Sequence, residues 1–219
     1  DGPGRPQDHR IDGNAAMKSF LIANPKGGSG KSMLATNLAG LLARQGHRVM
    51  LGDIDRQQSS RQWLDLRPSI LPRIESWRIE ADKPARPPAG TTHAVLDSPA
   101  GLHGAKLSQA LDAVDRVIVP LQPSLFDILA TGQFLATLAT EKKMRGQRNR
   151  LAVVGMRVDA RTRAAAELER FLADLGLPVL AFLRDTQNYV QAAAHGMTIF
   201  DLSLSRSAQD RAQWQPIIE

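Results

Sequence analysis

The sequence predicts an α/β fold, in which a mainly parallel, twisted sheet carries helices on both faces. Short apolar runs alternate with segments whose apolar residues recur at helical spacing along most of the 219 residues. Several apolar runs are continuous, which is typical of parallel strands buried on both faces. A glycine-rich loop joins the first such strand to the first helix. Since no break in composition interrupts the alternation, we expect a single domain over residues 17–219.

The predicted elements follow from this alternation. The strands are apolar runs at 19–23, 48–51, 73–77, 94–96, 116–120, 151–157 and 179–182. The helices have apolar residues at helical spacing, at 31–45, 59–65, 105–111, 125–144, 163–175 and 188–194. Residues 81–92 are rich in proline and predict a loop. Residues 1–16 carry no periodicity and much Gly, Pro and Asp, so they predict a disordered leader or cloning remnant before Met17.

The composition excludes several classes of function and favours others. The chain contains no cysteine, which excludes disulfides, thiolate metal sites and iron–sulfur clusters. No apolar run approaches the length of a membrane span, and no signal-peptide core is present, so we expect a cytoplasmic protein. The net charge of +6 and the pI of about 10.2 favour a polyanionic partner, nucleic acid before acidic membrane.

The loop at 25–32 reads Pro-Lys-Gly-Gly-Ser-Gly-Lys-Ser and has the context of a phosphate-binding loop. Its glycines let backbone N–H groups converge on phosphate oxygens at a helix N-terminus. Lys31 would reach the β- and γ-phosphates, and the Ser32 hydroxyl would ligate Mg²⁺. The predicted nucleotide-binding residues of this loop are Lys26, Gly27, Gly28, Ser29, Gly30, Lys31, Ser32 and Met33.

The loop departs from the general pattern at two positions. Pro25 stands where that pattern has glycine, and Lys26 adds a second lysine. The resulting K-G-G-x-G-K-[ST] pattern resembles the deviant Walker A motif of the ParA/MinD family of P-loop ATPases, closest to the small plasmid-type ParA partition proteins. The resemblance implies ATP and Mg²⁺ as cofactors. It also implies that Lys26 reaches across a nucleotide-sandwich dimer to the phosphates of the partner subunit.

Three aspartates follow predicted strands. Asp53 and Asp55 end the second strand two residues apart, where both carboxylates can share a face. This pair resembles the family's Walker A′ motif, with Arg56 where proline is common. Asp97 ends a later apolar strand before a Pro/Gly turn, as in a Walker B motif. By resemblance, the residues that hold the metal are Ser32, Asp53 and Asp97. The catalytic residues implied by the resemblance are Lys26, Lys31 and Asp55. Among these, Asp55 positions the attacking water.

The rest of the resemblance is looser and extends to about residue 204. By resemblance, two loops flank the adenine. One follows a strand and contains Met156 and Arg157, and the other follows a later strand and contains Arg184 and Asp185. The segment 117–127 looks like the family's proline-rich switch, which contributes to the dimer face. Its local sequence also explains it simply as a strand that ends at prolines, followed by a helix capped by Ser124.

Basic residues cluster near the end of the long predicted helix. Five cations lie within residues 142–150, and further arginines follow. Cations at a helix C-terminus are favoured by its dipole, so a solvated helix end is one interpretation. The other is sequence-independent binding to DNA phosphates. The predicted DNA-binding residues are Arg145, Arg148, Arg150, Arg161 and Arg163.

The sequence therefore predicts a ParA-like ATPase. It would hydrolyse Mg-ATP, dimerise around two nucleotides, bind nonspecific DNA on the nucleoid, and position a plasmid, a chromosome or other cargo. A ParB-like or other adaptor protein would stimulate hydrolysis. A MinD-like membrane-cycling ATPase is the alternative, although the C-terminal stretch is short and contains Pro216. A ligase of the dethiobiotin synthetase type and a non-hydrolysing scaffold also stay open.

Overall fold

The structure is a computed structural model that describes residues 17–80, 83–142 and 144–218. The predicted leader at 1–16 lies outside the described residues. Seven strands form one sheet in which every pair is parallel. They are β1 (Lys18–Ile22), β2 (Val49–Asp53), β3 (Ile74–Trp77), β6 (His93–Asp97), β7 (Arg116–Leu121), β8 (Leu151–Gly155) and β9 (Val179–Phe182). The predicted parallel α/β class is confirmed.

The short strands β4 (Ile79–Glu80) and β5 (Lys83–Pro84) form a separate antiparallel pair. The prediction of a loop over 81–92 was therefore wrong at Lys83–Pro84, although residues 85–92 form no helix or strand. Pro84 is compatible with such a short pair because a strand without further partners tolerates a missing N–H donor. The predicted strand 151–157 ends earlier, at Gly155.

The helices alternate with the strands. They are α1 (Lys31–Arg44), α2 (Ser59–Leu66), α3 (Gly104–Asp112), α4 (Leu125–Thr140), α5 (Arg163–Leu175), α6 (Gln187–Ala193), α7 (Leu204–Gln213) and α8 (Gln215–Ile218). The prediction that α4 reaches residue 144 was wrong, because the backbone becomes extended at Glu141. Helix α7, with the sequence LSRSAQDRAQ, escaped prediction because it has few apolar residues and the side chains that it buries, Ser207 and Asp210, are polar.

Each face of the sheet carries its own apolar core, as the continuous strands predict. On one face, the sheet packs against α3, α4 and α5 through residues such as Leu107, Leu138 and Leu168. On the other face, it packs against α1, α2 and the C-terminal segment, which comprises residues 196–218. The contacts involve residues such as Leu34, Trp63 and Trp214. The sheet is therefore buried from both sides, and its carboxyl edge is left as the place where loops can hold a ligand.

The strand order places the first loop at the centre of that edge. The order is β3-β2-β6-β1-β7-β8-β9, so β1 lies between β6 and β7. From β1 the chain moves toward β2 on one side, and after β6 it crosses to β7 on the other. A ligand crevice forms where connections leave in opposite directions in this way. The glycine-rich loop follows β1 at that point.

The C-terminal segment ties α1 and α2 together. Asp201 accepts hydrogen bonds from Arg44 of α1 (3.0 Å) and from Arg67 (3.1 Å), which follows α2. The Trp63 indole N–H donates to the Met197 carbonyl (3.2 Å). At Gly196, with φ of +64°, a Cβ would lie 2.4 Å from the backbone at the end of α2. Only glycine fits this close approach.

The packing at Gly196 generates the first prediction. We expect Gly196→Ala to lower the free energy of unfolding by about 3 kcal/mol or more, because it adds a backbone clash to the strain of a positive φ. Gly46→Ala is the matched control, since Gly46 has φ of +87° but open space around a Cβ. It should cost about 1–2 kcal/mol. Urea unfolding measures both variants, and equal losses would contradict the packing described at Gly196.

Candidate nucleotide-binding site

The loop between β1 and α1 has the backbone of a phosphate cradle. Gly28 and Gly30 adopt positive φ, +73° and +96°, in the left-handed region that favours glycine. Gly30 is the N-cap of α1 and offers no side chain to cap it. A Cβ there would also meet the Met156 side chain at 2.8 Å. The N–H groups at the start of α1 are thus without a capping side chain, an arrangement suited to an anion.

Lys31 lies buried beneath this loop. Its Nζ donates to the Lys26 carbonyl (2.9 Å) and approaches the Ser29 hydroxyl (3.4 Å). Burial lowers the pKa of Lys31, while the negative charges of Asp97 and Asp55 act in the opposite direction. The ammonium group therefore lies under the loop and within the field of the aspartates, where a phosphate would replace its carbonyl partner.

Asn24 anchors the loop, a role that the sequence did not predict. Its Nδ2 donates to the Pro120 carbonyl (2.7 Å) and to the Thr131 hydroxyl (2.9 Å). Its Oδ1 accepts from the backbone N–H of Lys26 (2.8 Å). The available signal was a polar residue directly after the buried first strand. Because these bonds join the loop to β7 and α4, they fix where Lys26 leaves the sheet.

Lys26 lies at the rim of the loop and pairs within its own chain. Its Nζ is 3.2 Å from Asp127 Oδ2, and its side chain remains about one-third exposed. Asp127 also accepts from the Ser124 hydroxyl, and the Phe126 ring centroid lies 5.9 Å from the ammonium. The sequence did not single out Asp127. Because the Lys26 side chain keeps part of its contact with solvent, its ammonium can exchange Asp127 for another anionic partner.

Two carboxylates converge next to the loop. Asp53 and Asp97 are directly paired in the register of β2 and β6. Asp53 accepts from the backbone N–H groups of Asp55 (2.9 Å) and Ser60 (2.9 Å), and so caps the start of α2. Burial raises the pKa of Asp53 against these hydrogen bonds. Asp55 lies just beyond the strand, where it accepts from the Gln57 N–H (3.0 Å).

Asp97 is almost fully buried, at 1% exposure. Its Oδ2 accepts from the Ser60 hydroxyl (2.6 Å), but its Oδ1 is buried with no hydrogen-bond partner among the described residues. Burial raises the pKa of Asp97 to about 6, although the Ser32 and Ser60 hydroxyls lower it. A buried carboxylate near the Ser32 hydroxyl provides oxygen atoms of the kind expected around a hydrated Mg²⁺ ion.

The described part of the chain contains no group of three or more His, Cys, Asp or Glu side chains that could hold a metal. Mg²⁺ does not need one, because it keeps several waters and binds through one or two protein groups and the phosphates. Ser32 and the carboxylates of Asp53 and Asp97 fit this requirement.

The four predicted adenine-side residues follow β8 and β9, which are neighbours in the sheet. The Met156 side chain is buried against Gly30. Arg157, with φ of +54°, lies 3.9 Å from Asp185, and both side chains are exposed. Arg184 instead donates to buried Asp210 (2.6 Å). The Arg184 guanidinium is thus held by α7.

The predicted DNA-binding arginines fall into two groups, one near the start of strand β8 and the other after its end. Arg145, Arg148 and Arg150 precede β8, and Arg161 and Arg163 follow it. The five residues of β8 separate the groups by about 16 Å. Arg150 donates to the carbonyls of Asp115 (2.8 Å) and Val114 (2.6 Å), so its guanidinium joins the β8 region to the start of β7. Arg161 forms a double hydrogen bond with Asp159.

The family follows from these features together with a direct match. Residues 20–199 match the model of the CobQ/CobB/MinD/ParA nucleotide binding domain. The chain belongs to this family, and its predicted relationship to ParA and MinD is confirmed.

Named relatives come from several organisms. The Maintenance of carboxysome distribution protein A of Gloeobacter kilaueensis is 29% identical over 209 residues, which cover 90% of this chain and 91% of the relative. The chromosome-partitioning ATPase Soj of Thermus thermophilus is 29% identical over 190 residues, which cover 71% of this chain and 75% of Soj.

Solved structures share the fold. The ATP complex of a Cyanothece McdA variant superposes with a TM-score of 0.72 at 16% identity, covering 93% of this chain and 97% of that one. A Borrelia burgdorferi plasmid partition protein bound to AMPPNP gives 0.68 at 18% identity, covering 92% and 98%.

The burial of Asp97 generates the second prediction. A raised folded-state pKa means that ionising Asp97 destabilises the nucleotide-free fold, an effect that grows as pH rises from about 4 through about 6. Moving this pKa from 3.8 to about 6 corresponds to about 3 kcal/mol. Asp97→Asn removes the charge, so its melting temperature in EDTA should exceed that of the wild type by several degrees at pH 7.5.

The difference should shrink toward zero near pH 4, because Asp97 is then protonated in the wild type as well. Thermal melts across this pH range measure it, and Asp65→Asn on the exposed side of α2 is the control. A gain at Asp97→Asn that is independent of pH would contradict the assigned burial cost.

Proposed function

We propose that this ParA/MinD-type ATPase binds Mg-ATP at the loop, dimerises around two nucleotides, binds DNA without sequence preference and positions cargo in the cell. The observation that carries the proposal is Lys26. It is a second lysine on a glycine-rich loop, it lies at the rim of the loop whereas Lys31 is buried, and its side chain is partly exposed. A second copy of the chain could therefore receive it.

The proposed reaction is hydrolysis of ATP by an in-line water. Lys31 and the N–H groups of residues 27–32 hold the phosphates and balance the charge that spreads over the transferring oxygens. Ser32 would ligate the magnesium, and Asp53 and Asp97 would hold its water ligands. Magnesium at this place would supply positive charge that offsets the charge of the phosphates. Asp55, just beyond the buried pair, orients the attacking water.

An exposed apolar patch supports dimerisation. Leu125, Phe126 and Leu129, at the start of α4, are 61%, 73% and 56% exposed. They lie beside Asp127, which holds Lys26. A second copy would bury this patch, and Lys26 would exchange Asp127 for the phosphates of the other subunit. Burial of apolar side chains would offset the loss of the weak ion pair.

The cargo is proposed from the relatives. Their names concern carboxysome distribution and chromosome partitioning. By analogy, this protein would position a protein assembly such as a carboxysome, a plasmid or a chromosome. It would work from the nucleoid in the cytoplasm, and an adaptor protein on the cargo, ParB-like or of another kind, would stimulate hydrolysis.

Membrane cycling of the MinD kind gains no specific support from the described helices. None of them is long and apolar enough to cross a membrane. Trp214, between α7 and α8, is fully buried and packs edge-on against Phe200. These last helices therefore pack on the rest of the fold. ATP-dependent sedimentation with anionic liposomes would favour the membrane alternative.

The third prediction tests the dimer. Asp55→Ala should retain ATP and accumulate as a dimer, because it removes water positioning and no phosphate contact. Lys26→Gln should bind ATP within a few-fold of the wild type but stay monomeric. Lys142→Gln, an exposed lysine away from the loop, is the control. Sedimentation velocity with Mg-ATP measures all three, and an ATP-dependent dimer formed by Lys26→Gln would overturn the role of Lys26.

The fourth prediction tests DNA binding. The ATP-bound wild type should bind unrelated duplexes with similar affinity, and this affinity should fall about ten-fold or more between about 50 and 200 mM salt. Two charge reversals separate the arginine groups: Arg145→Glu with Arg148→Glu, and Arg161→Glu with Arg163→Glu. Arg150 is left intact because its guanidinium binds main-chain oxygens.

We expect the first pair to weaken DNA binding more, because Asp159 already neutralises Arg161. Both variants should keep their ATP affinity. Fluorescence anisotropy with a labelled duplex measures the affinities. A wild type that binds no DNA with ATP at low salt would refute the DNA-carrier proposal.

A further inference from the structure

Helix α2 begins against the two carboxylates that converge next to the loop. Its second residue, Ser60, has 0% exposure. The backbone N–H of Ser60 donates to Asp53 Oδ2 (2.9 Å), and its hydroxyl donates to Asp97 Oδ2 (2.6 Å). One residue outside the glycine-rich loop thus contacts both carboxylates of the proposed metal site.

Capping of α2 does not account for the Ser60 hydroxyl. The backbone N–H groups at the start of the helix, which have no partner within the helix, donate to Asp53, which accepts from Ser60 and Arg61. The Ser60 hydroxyl points away from that cap, to Asp97 on the neighbouring strand. A bond of 2.6 Å to a carboxylate lies in the range of charge-assisted hydrogen bonds.

This bond has a geometric consequence for Asp97. Rotation of an aspartate carboxylate about its last torsion is broad when nothing restrains it. Fixing Oδ2 on Ser60 also fixes Oδ1, which is buried and has no hydrogen-bond partner among the residues that the structure describes. The oxygen free to accept from a magnesium-bound water is thus determined by the one that Ser60 holds.

The position of Ser60 is itself fixed by contacts from the middle of α2 and from the residue that follows it. Trp63 bonds to the Met197 carbonyl, and Arg67 bonds to Gly196 and to Asp201. These bonds hold the helix against the C-terminal segment, so the helix cannot easily follow Asp97 if that side chain rotates. The hydroxyl is a fixed point for the carboxylate.

We propose that Ser60 is a positioning residue for magnesium, which acts by orienting Asp97 and touches neither metal nor nucleotide. This inference rests on the proposed binding of Mg-ATP at the loop. Groups that orient the surroundings of a metal typically change metal affinity by about 10–100-fold when they are removed.

The test measures how much magnesium strengthens nucleotide binding. The affinity of a fluorescent ATP analogue is determined in EDTA and in excess Mg²⁺, and the ratio of the two dissociation constants is the magnesium gain. Ser60→Ala should reduce this gain about ten-fold, while affinity in EDTA stays within about two-fold of the wild type. Ser59→Ala, at the exposed neighbouring position, should leave the gain unchanged.

A second pair of variants separates the hydroxyl from packing. Ser60→Thr and Ser60→Val add nearly the same volume at this fully buried position, but only threonine keeps a hydroxyl. Any steric cost is therefore shared, and the magnesium gain should be about ten-fold larger for threonine than for valine. Melting temperatures without nucleotide show whether each variant is folded.

The outcomes are distinct. An unchanged gain in Ser60→Ala, or equal gains for threonine and valine, would overturn the role of Ser60 while the proposed function stands. A wild type that binds the analogue equally with and without Mg²⁺ would instead remove the proposed function, and the inference with it.

Discussion

The pairing of β1 between β6 and β7 is the constraint on which the site depends. It places the loop that follows β1 at the centre of the carboxyl edge, beside the strand that ends in Asp97. Pairing of β6 with β2 then brings Asp53 opposite Asp97. The glycine-rich loop and the two carboxylates lie far apart in the sequence, and parallel register alone brings them together. The apolar cores on both faces hold that register.

Burial holds the residues of the site in place, but it also makes their charged forms less favourable. Burial disfavours the charge on Asp97 and on Lys31, and it shifts their pKa values in opposite directions. Among the described residues, Asp97 Oδ1 has no hydrogen-bond partner, and Lys31 bonds to a carbonyl of its own loop. Magnesium and phosphate would give both groups partners and so offset the cost of burying them.

The alternation of strands and helices and the strand ends at Asp53 and Asp97 were predictable from the sequence, whereas the order of the strands was not. Gly28 and Gly30 have the positive φ that a phosphate loop requires, and the strands that end in Asp53 and Asp97 are adjacent. The helix ends were less predictable: α4 stops at Thr140 although a helical pattern continues beyond it. Local propensity does not determine where a helix leaves the surface that it packs on.

The supporting residues could not be found in this way, because their roles come from contacts between distant parts of the chain. Ser59 and Ser60 are equivalent in sequence, yet only Ser60 faces Asp97. Asn24 and Asp127 act through partners about a hundred residues away. Arg150 belongs to a basic cluster in sequence but binds carbonyl oxygens in the fold. Charge and residue type indicate what a side chain can do, whereas the fold determines what it meets.

We propose that the loop at 27–32 binds the phosphates of ATP with Lys31 beneath them. Isothermal titration of Mg-ATP into the wild type, Lys31→Ala and the exposed-site control Lys142→Ala measures this binding. The wild type and the control should bind saturably, and Lys31→Ala should lose about a hundred-fold or more in affinity, as expected when a buried charge partner of a phosphate is removed. Retention of ATP affinity within a few-fold by Lys31→Ala would contradict it.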